Sequence, residues 1–371
     1  MIYADHNAGA PMLPEVLEAM LPFLRDWHGN PSALHRHGRI AHSALESARE
    51  EVAGLAGCRP DQVIFCSGGT EANNLAIAGT LAAWKHPGTI AVSATEHAAV
   101  MGPARHMTTS GWTLNMLAVD ADGQLTREGL DSVSIDTRLI SVMLANNETG
   151  VIQNMAPVMV TAARHGCMLH ADAVQAFGRI PIHFDGSGLQ LMTVSAHKMG
   201  GPKGIGALIA RHPEQLHPLL LGGGQEKGLR SGTEAVASII GFGKACVLAG
   251  QAMPQTTAHL QTLRQQLEEG LDSIKGCQRF GTGSERLPNT VQCSIEGFDG
   301  STLVMLLDRA GICISSGSSC HSAISAPSPV LTAMGVDPVT ARGAIRISLG
   351  NGNTAEDISH IILTLKTITG A

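Results

Sequence analysis

Residues 192–206 read MTVSAHKMGGPKGIG, and the order of residue types in this stretch decides how the rest of the chain is organised. Met192 to Val194 form a short apolar run of the kind that makes a buried strand. The run gives way to Ser195, His197 and Lys198 before a Gly200-Gly201-Pro202 turn. This puts an amine at the end of a strand, flanked by a hydroxyl and an imidazole. An amine so placed can form an imine with a carbonyl cofactor. A lone loop lysine is ordinarily a solvated charge; Lys198 stands out because of the groups found at other strand ends.

Toward the N-terminus the chain alternates strand and helix. Residues 1–12 read as an extended lead-in, and Leu13 to Trp27 as a helix that Pro22 kinks or splits. The loop HGNPSALHRHG follows. Histidines 28, 35, 37 and 42 lie in or just beyond it, in a spacing that matches no common ligand set, so no metal site is expected. Ile40 to Leu55 shows helical periodicity and stops at Gly57. The strand Gln62 to Cys66 then feeds SGGTEANN before a helix from Leu75 to Trp84. Strand, small-residue turn and helix start make a phosphate cradle, with Thr70 adding a hydroxyl; Thr70 and Glu71 also suit a plain helix cap.

Further strands are expected at Thr89–Ser93, Trp112–Val119, Leu139–Leu144 and from Cys167, with helices at Ala98–Thr109, 126–133 and Pro157–His165. This rhythm predicts an α/β fold with a largely parallel sheet that binds ligands beyond the carboxyl ends of its strands. Thr70, His97, Asn147, Asp172, Gln175 and Lys198 all fall at such ends. After the loop ending GGGQEKGLRSGTEA, a helix from Thr233 to Leu248 and another from Gln255 to Ile274 are predicted. Shorter units follow: strands at Asn289–Ile295, near Ile312 and at Ile345–Leu349, and helices at Thr302–Arg309 and Thr354–Ile368. The division expected is a large α/β domain over residues 13–250 and a small α+β domain from 251–371 joined by residues 1–12.

Composition narrows the classes. At 371 residues and 44% apolar content the chain can build a large core. A net charge of −6 with no basic stripe argues against direct nucleic-acid binding. The 43 glycines and 3% aromatics suit loops that approach a ligand closely. No apolar run reaches the length read as a membrane span, and MIYADHNAGAP lacks the pattern of a signal peptide, so a cytoplasmic protein is expected. Eight cysteines with no CxxC read as small buried hydrophobes in a reducing compartment, except Cys320.

Pyridoxal 5'-phosphate (PLP) is the usual carbonyl cofactor for a lysine of this kind, and its chemistry has specific needs. Its pyridine nitrogen must stay protonated, a task for a buried carboxylate such as Asp172. Gln175 can reach the phenolic oxygen, and His97 can lie on the ring face and shuttle protons. Taken singly, each of these fits a cap or a core hydrogen bond better than a catalytic role.

The runs SGGTEANN (67–74), TEH (95–97), NNETG (146–150), HADAVQ (170–175), SAHKMGGPKGIGAL (195–208), RSGT (230–233), SSGSSC (315–320) and AIRISLG (344–350) cover nearly the whole chain. In this order they resemble the class V aminotransferase superfamily of PLP enzymes, and within it the cysteine desulfurases of the NifS and IscS type. The resemblance implies the aspartate aminotransferase-like PLP-dependent transferase fold. It implies that Lys198 holds PLP covalently, Asp172 pairs with the pyridine nitrogen, Gln175 with the phenolic oxygen, and His97 stacks on the ring. Gly69, Thr70, Ser195 and His197 would hold the phosphate, and Thr233 would do so from the neighbouring subunit of a homodimer. Asn147 and Arg346 would take the substrate carboxylate, which suits the rigid fork of a guanidinium.

Ser315 to Pro329, SSGSSCHSAISAPSP, offers almost nothing for a core and reads as a mobile surface loop bearing one thiol. Cys320 is an incidental surface cysteine or, beside a PLP site, a nucleophile. The resemblance selects the second: sulfur leaves L-cysteine for the Cys320 thiolate, a persulfide forms, L-alanine departs, and the loop carries the sulfur to an acceptor protein for Fe–S clusters, tRNA or another destination. A selenocysteine lyase or another class V aminotransferase or lyase is the alternative. Two departures from the family pattern appear. Gly9 and Ala10 stand where a pair of threonines is usual, and the sequence stops at Ala371 without the longer tail of IscS-type members, which points to a NifS-like arrangement or a different acceptor.

Overall fold

The computed structural model describes residues 1–317 and 326–370; Cys320 lies outside the described residues. After β1 (Ile2–Tyr3), the chain lays down the strands of a seven-stranded sheet: β2 (Val63–Cys66), β3 (Thr89–Ser93), β4 (Thr113–Leu117), β5 (Thr137–Ser141), β6 (Met168–Asp172), β7 (Leu191–Ser195) and β8 (Gly206–Ala210). Their order across the sheet is β2-β8-β7-β6-β5-β3-β4. The pairs from β4 through β7 are parallel, whereas β8 runs antiparallel to both β7 and β2. The reversal follows from the Gly-Pro turn after Lys198: with no crossover helix between them, β7 and β8 can pair only antiparallel. Strands β6 and β7 are buried along almost their whole length because helices cover both faces.

Five short strands follow: β9 (Cys277–Arg279), β10 (Thr290–Ile295), β11 (Ile312–Cys313), β12 (Ser315–Ser316) and β13 (Ala344–Ser348). An antiparallel sheet of order β12-β13-β10-β9 forms, while β1 pairs in parallel with β11. Ala4 is packed with Leu260, Val291, Ile347 and Leu365 in one apolar cluster, separate from the cluster of Leu45, Val52, Phe65, Met192 and Phe242 under the large sheet.

Several elements differ from the sequence expectation. The first helix runs Pro14–Arg25 unbroken, with Pro22 accommodated inside it. The next begins at Arg36 rather than Ile40, because the His35 ring accepts a hydrogen bond from Gly38 N at 3.2 Å and serves as the cap; it ends on Gly57 at φ 65°, where a residue with a Cβ is strained. The helix after β2 starts at Gly69, six residues ahead of Leu75, so SGGTEANN is itself the first turns of a helix.

The two helices expected around residue 250 are one, Val236–Asp272, with Pro254 inside. It is long and apolar enough, by length and composition, to cross a membrane. Here it serves as a core helix: Phe242 and Cys246 sit under the large sheet, and Leu260, Leu263 and Leu267 sit among the later strands.

Ser315 to Pro329 is not loop throughout. Ser315 and Ser316 pair with β13, and Ser328 is 1% exposed and caps the helix Pro329–Ala333 by accepting from Leu331 N. Of the histidine-rich segment, the His28, His35 and His37 rings gather on one another and on Trp27, with centroids 5.1 to 6.5 Å apart. Among the described residues Cys66, Cys167, Cys246 and Cys293 are buried and none forms a disulfide; burial pushes the half-buried Cys58 thiol up to about 12.

Candidate active site

A cavity of about 330 Å³ opens at the carboxyl ends of β6 and β7. Ten of the expected residues line it: Gly69, Thr70, His97, Asn147, Asp172, Gln175, Ser195, His197, Lys198 and Arg346. Thr233 does not; it is exposed and lies outside this cavity. A larger cavity, about 920 Å³, takes in Lys198 but none of the other strand-end groups.

Lys198 ends the turn Ala196–Lys198 that follows β7. Its Nζ lies 2.6 Å from the Asn7 carbonyl and 3.0 Å from that of Ala8, which brings the N-terminal segment over the site. Asp172 is the last residue of β6, where the sequence places it directly after the strand. Its carboxylate accepts from Asn73 Nδ2 at 2.8 Å and from Val174 N at 2.9 Å, so its orientation is set from two sides. His97 caps the helix Ala98–Met107, with Nδ1 accepting from Ala99 N at 3.1 Å; that bond leaves Nε2 as the nitrogen bearing the proton when the ring is neutral.

Arg346, on β13 and 1% exposed, donates to Asp5 Oδ1 at 2.8 Å and to the Asn147 carbonyl at 3.0 Å. The His197 ring is held at about 4, by burial first and then by the charges of Lys198, Lys203 and Arg179, and is neutral near pH 7. Beside Asn147, the Glu148 carboxyl is buried and pushed up to about 7 by desolvation, which outweighs its hydrogen bonds from Ser328 and Gln292. The Glu96 carboxyl is raised well above the usual carboxylate range by burial and then by Asp172, and it accepts from Met143 N.

The floor of the cavity fits a phosphate. Ser195 Oγ is buried and has no hydrogen-bond partner among the described residues, an arrangement that costs about 1–3 kcal/mol unless a ligand atom satisfies it. A Cβ on Gly69 would stand 2.9 Å from Val174 Cγ2, so the turn needs glycine. The Thr70 side chain caps no helix. Instead Glu71 takes the local amide, Ser67 N at 2.8 Å, and pairs with Arg230 at 2.8 Å.

The sequence profile of the aminotransferase class-V family matches residues 2–361. The chain belongs to that family. Within it, this class V member is of the NifS/IscS cysteine desulfurase type. It is 40% identical over 370 residues to the "Cysteine desulfurase IscS" of Dictyoglomus turgidum, covering 99% of this chain and 94% of that one. Among solved structures it superposes on a "NIFS-LIKE PROTEIN" with TM-score 0.93 at 35% identity, covering 100% of this chain and 99% of the other. It superposes on "SspA in complex with cysteine" with TM-score 0.84 at 31% identity, covering 95% and 100%. Class V aminotransferases and cysteine desulfurases are PLP enzymes.

Sequence reading missed Asn7, Ala8, Asn73 and Met143 as cavity residues, and Arg179 behind Gln175. Asn73 carried a faint signal as part of SGGTEANN, and Asn7 and Ala8 one as the pair that precedes Gly9 and Ala10 in the family pattern; Arg179 carried none.

Proposed function

We propose that the protein is a PLP-dependent cysteine desulfurase that takes the sulfur of L-cysteine onto Cys320 and releases L-alanine. The observation that carries this reading is the convergence, in one cavity, of an amine (Lys198), a fixed carboxylate (Asp172), an unpartnered buried hydroxyl (Ser195) and a guanidinium (Arg346). When bound, PLP supplies an electron sink that acidifies the Cα proton of the amino acid. Lys198 holds the cofactor and, when free, takes that proton and returns it. The Asp172 carboxylate, held by Asn73 and Val174, keeps the pyridine nitrogen protonated. Gln175 donates to the phenolic oxygen, and His97 offers a ring face.

Ser195, Thr70, His197 and the turn at Gly69 take the phosphate. The neutral His197 can accept or donate there without adding charge. Thr233 of a second copy completes this cradle in a homodimer. Asn147 and Arg346 take the substrate carboxylate. The Cys320 thiolate attacks the substrate sulfur: the C–S bond breaks as the S–S bond forms, and the carbon gains a proton to become the methyl group of L-alanine. The persulfide then passes to an acceptor protein, and a cytoplasmic setting suits a thiol chemistry of this kind. The division into residues 13–250 and residues 1–12 with 251–371 is likewise proposed as the functional partition, the cavity lying where the two meet.

The test uses purified protein with PLP and L-cysteine. The visible band of bound cofactor is expected, and, with a thiol reductant such as dithiothreitol added to reduce the persulfide, equimolar alanine and sulfide. Cys320→Ala keeps the band and loses sulfur transfer, and Lys198→Ala loses the wild-type band. Material that takes up no PLP, or a Cys320→Ala variant with full transfer, would sink the reading; full activity of that variant on selenocysteine alone points to a lyase.

A further inference from the structure

Arg179 lies outside the 330 Å³ cavity, yet its guanidinium gathers three separate pieces of the chain. Nη1 donates to Asn7 Oδ1 at 2.8 Å and to Gln175 Oε1 at 2.7 Å; Nη2 donates to the carbonyls of His6 and Lys198, each at 3.1 Å. A guanidinium donates and never accepts, so the Gln175 atom facing it must be the amide oxygen. The amide nitrogen is thereby turned the other way. It donates to the Asn7 carbonyl at 3.0 Å, which also takes the Lys198 amine and so has both lone pairs engaged. The second N–H of Gln175 is left as a donor at the cavity wall.

We propose that Arg179 is a positioning residue: it fixes the Gln175 amide with its N–H toward the cofactor's phenolic oxygen and ties the Lys198 backbone to the N-terminal segment. The inference rests on the functional reading above, in which Gln175 meets that oxygen. Two acceptors on each of two nitrogens is a demand that only a planar fork meets. A lysine ammonium keeps the charge but presents one point, and leaves the Gln175 amide free to turn its oxygen toward the cofactor. A carbonyl oxygen facing the phenolic oxygen repels its anionic form, whereas an N–H stabilises it.

The test reads the pH at which the visible band of the bound cofactor interconverts, in wild type, Arg179→Lys, Gln175→Ala and the double variant. Loss of the donor raises that midpoint, by about one unit, a tenfold change in the equilibrium. Arg179→Lys keeps an amine at the site, and where that amine stays protonated a rise reports the amide and not the lost cation. Since Arg179 acts through Gln175, the double variant rises no further than Gln175→Ala alone. Thermal unfolding of the cofactor-free proteins separates this from a merely structural role, which lowers stability and leaves the midpoint where it is. An unshifted midpoint in Arg179→Lys, or additive shifts in the double variant, overturns the inference and leaves the functional reading intact; a wild-type protein that takes up no PLP overturns both.

Discussion

Ser195 ends a strand that is apolar at three of its five positions, is 2% exposed, and carries a hydroxyl that nothing in the described chain satisfies. Without cofactor that hydroxyl is a liability; with a phosphate beside it, it is a ligand. The same substitution therefore has opposite signs in the two states. Ser195→Ala leaves the cofactor-free protein as stable as wild type or more stable by up to about 1–2 kcal/mol, and raises the PLP dissociation constant about tenfold, near 1.4 kcal/mol. Denaturant unfolding without cofactor and a spectral titration with it measure the two halves; destabilisation of the cofactor-free protein with unchanged affinity would make Ser195 a packing residue. Gly9 is a different case. A Cβ there would meet His197 Nδ1 at 3.5 Å, ordinary contact, so the fold leaves room for a Cβ at this position.

The helix Val236–Asp272 shows how an element's contacts override its own propensities. Glycine in a helix interior costs about 1 kcal/mol against alanine, yet Gly243 sits where a Cβ would stand 2.8 Å from Ala48 Cα and against the Glu51 carboxylate. The backbone of the helix Arg36–Ala56 cannot withdraw as a flexible side chain does. Packing wins over propensity. Gly243→Ala is expected to destabilise by about 1–3 kcal/mol, read as a lower urea midpoint with unchanged slope, whereas Gly54→Ala, where a Cβ meets nothing within 4 Å, gains the propensity term. A stabilised Gly243→Ala would show that the two helices part more easily than their approach implies.

At the scale of the whole molecule, the buried ionisable groups set the response to pH. Burial first of all holds His6 and His197 at about 4 and His170 at about 3. The unfolded chain protonates these rings near 6.5, so between about 4 and 6.5 it binds more protons than the folded one. Their stabilising contribution is complete above 6.5 and is lost as pH falls. Glu148 works the other way. With its carboxyl raised from 4.5 to about 7, the folded protein holds the extra proton, and its contribution is full at low pH and lost as pH rises through 7. The Glu96 and Glu51 carboxyls, raised by burial, act in the same sense as Glu148, so the carboxyls oppose the rings' climb below 6.5, and above 6.5, where the rings no longer titrate, stability declines as pH rises. Thermal midpoints of the cofactor-free protein across this range check the profile, and Glu148→Gln steepens the climb below 6.5 and weakens the decline above it.

Local pattern read the alternation of strands and helices, the carboxyl-end rule for the ligand and eight of the lining residues, six at strand ends with Ser195 and His197 beside Lys198, because apolar period and strand ends are encoded over stretches of five to fifteen residues; Gly69 and Arg346 came only with the family resemblance. It failed where a partner distant in sequence decides the outcome. The reversed strand β8, the His35 cap and the fusion of two expected helices into Val236–Asp272 depend on turn length, a ring nitrogen and packing on both sides of Pro254. Arg179, and the contacts of Asn7, became legible only in three dimensions. Asn7 joins Thr290, Asn289, Ser348, Gln175 and Lys198, separated from it by 168 to 341 positions, and a hydrogen bond of that reach leaves no periodic trace in the chain. Chemistry of the site was written in the residues; its alignment was left to the tertiary fold, since donors and acceptors act over about 3 Å whatever their distance in sequence.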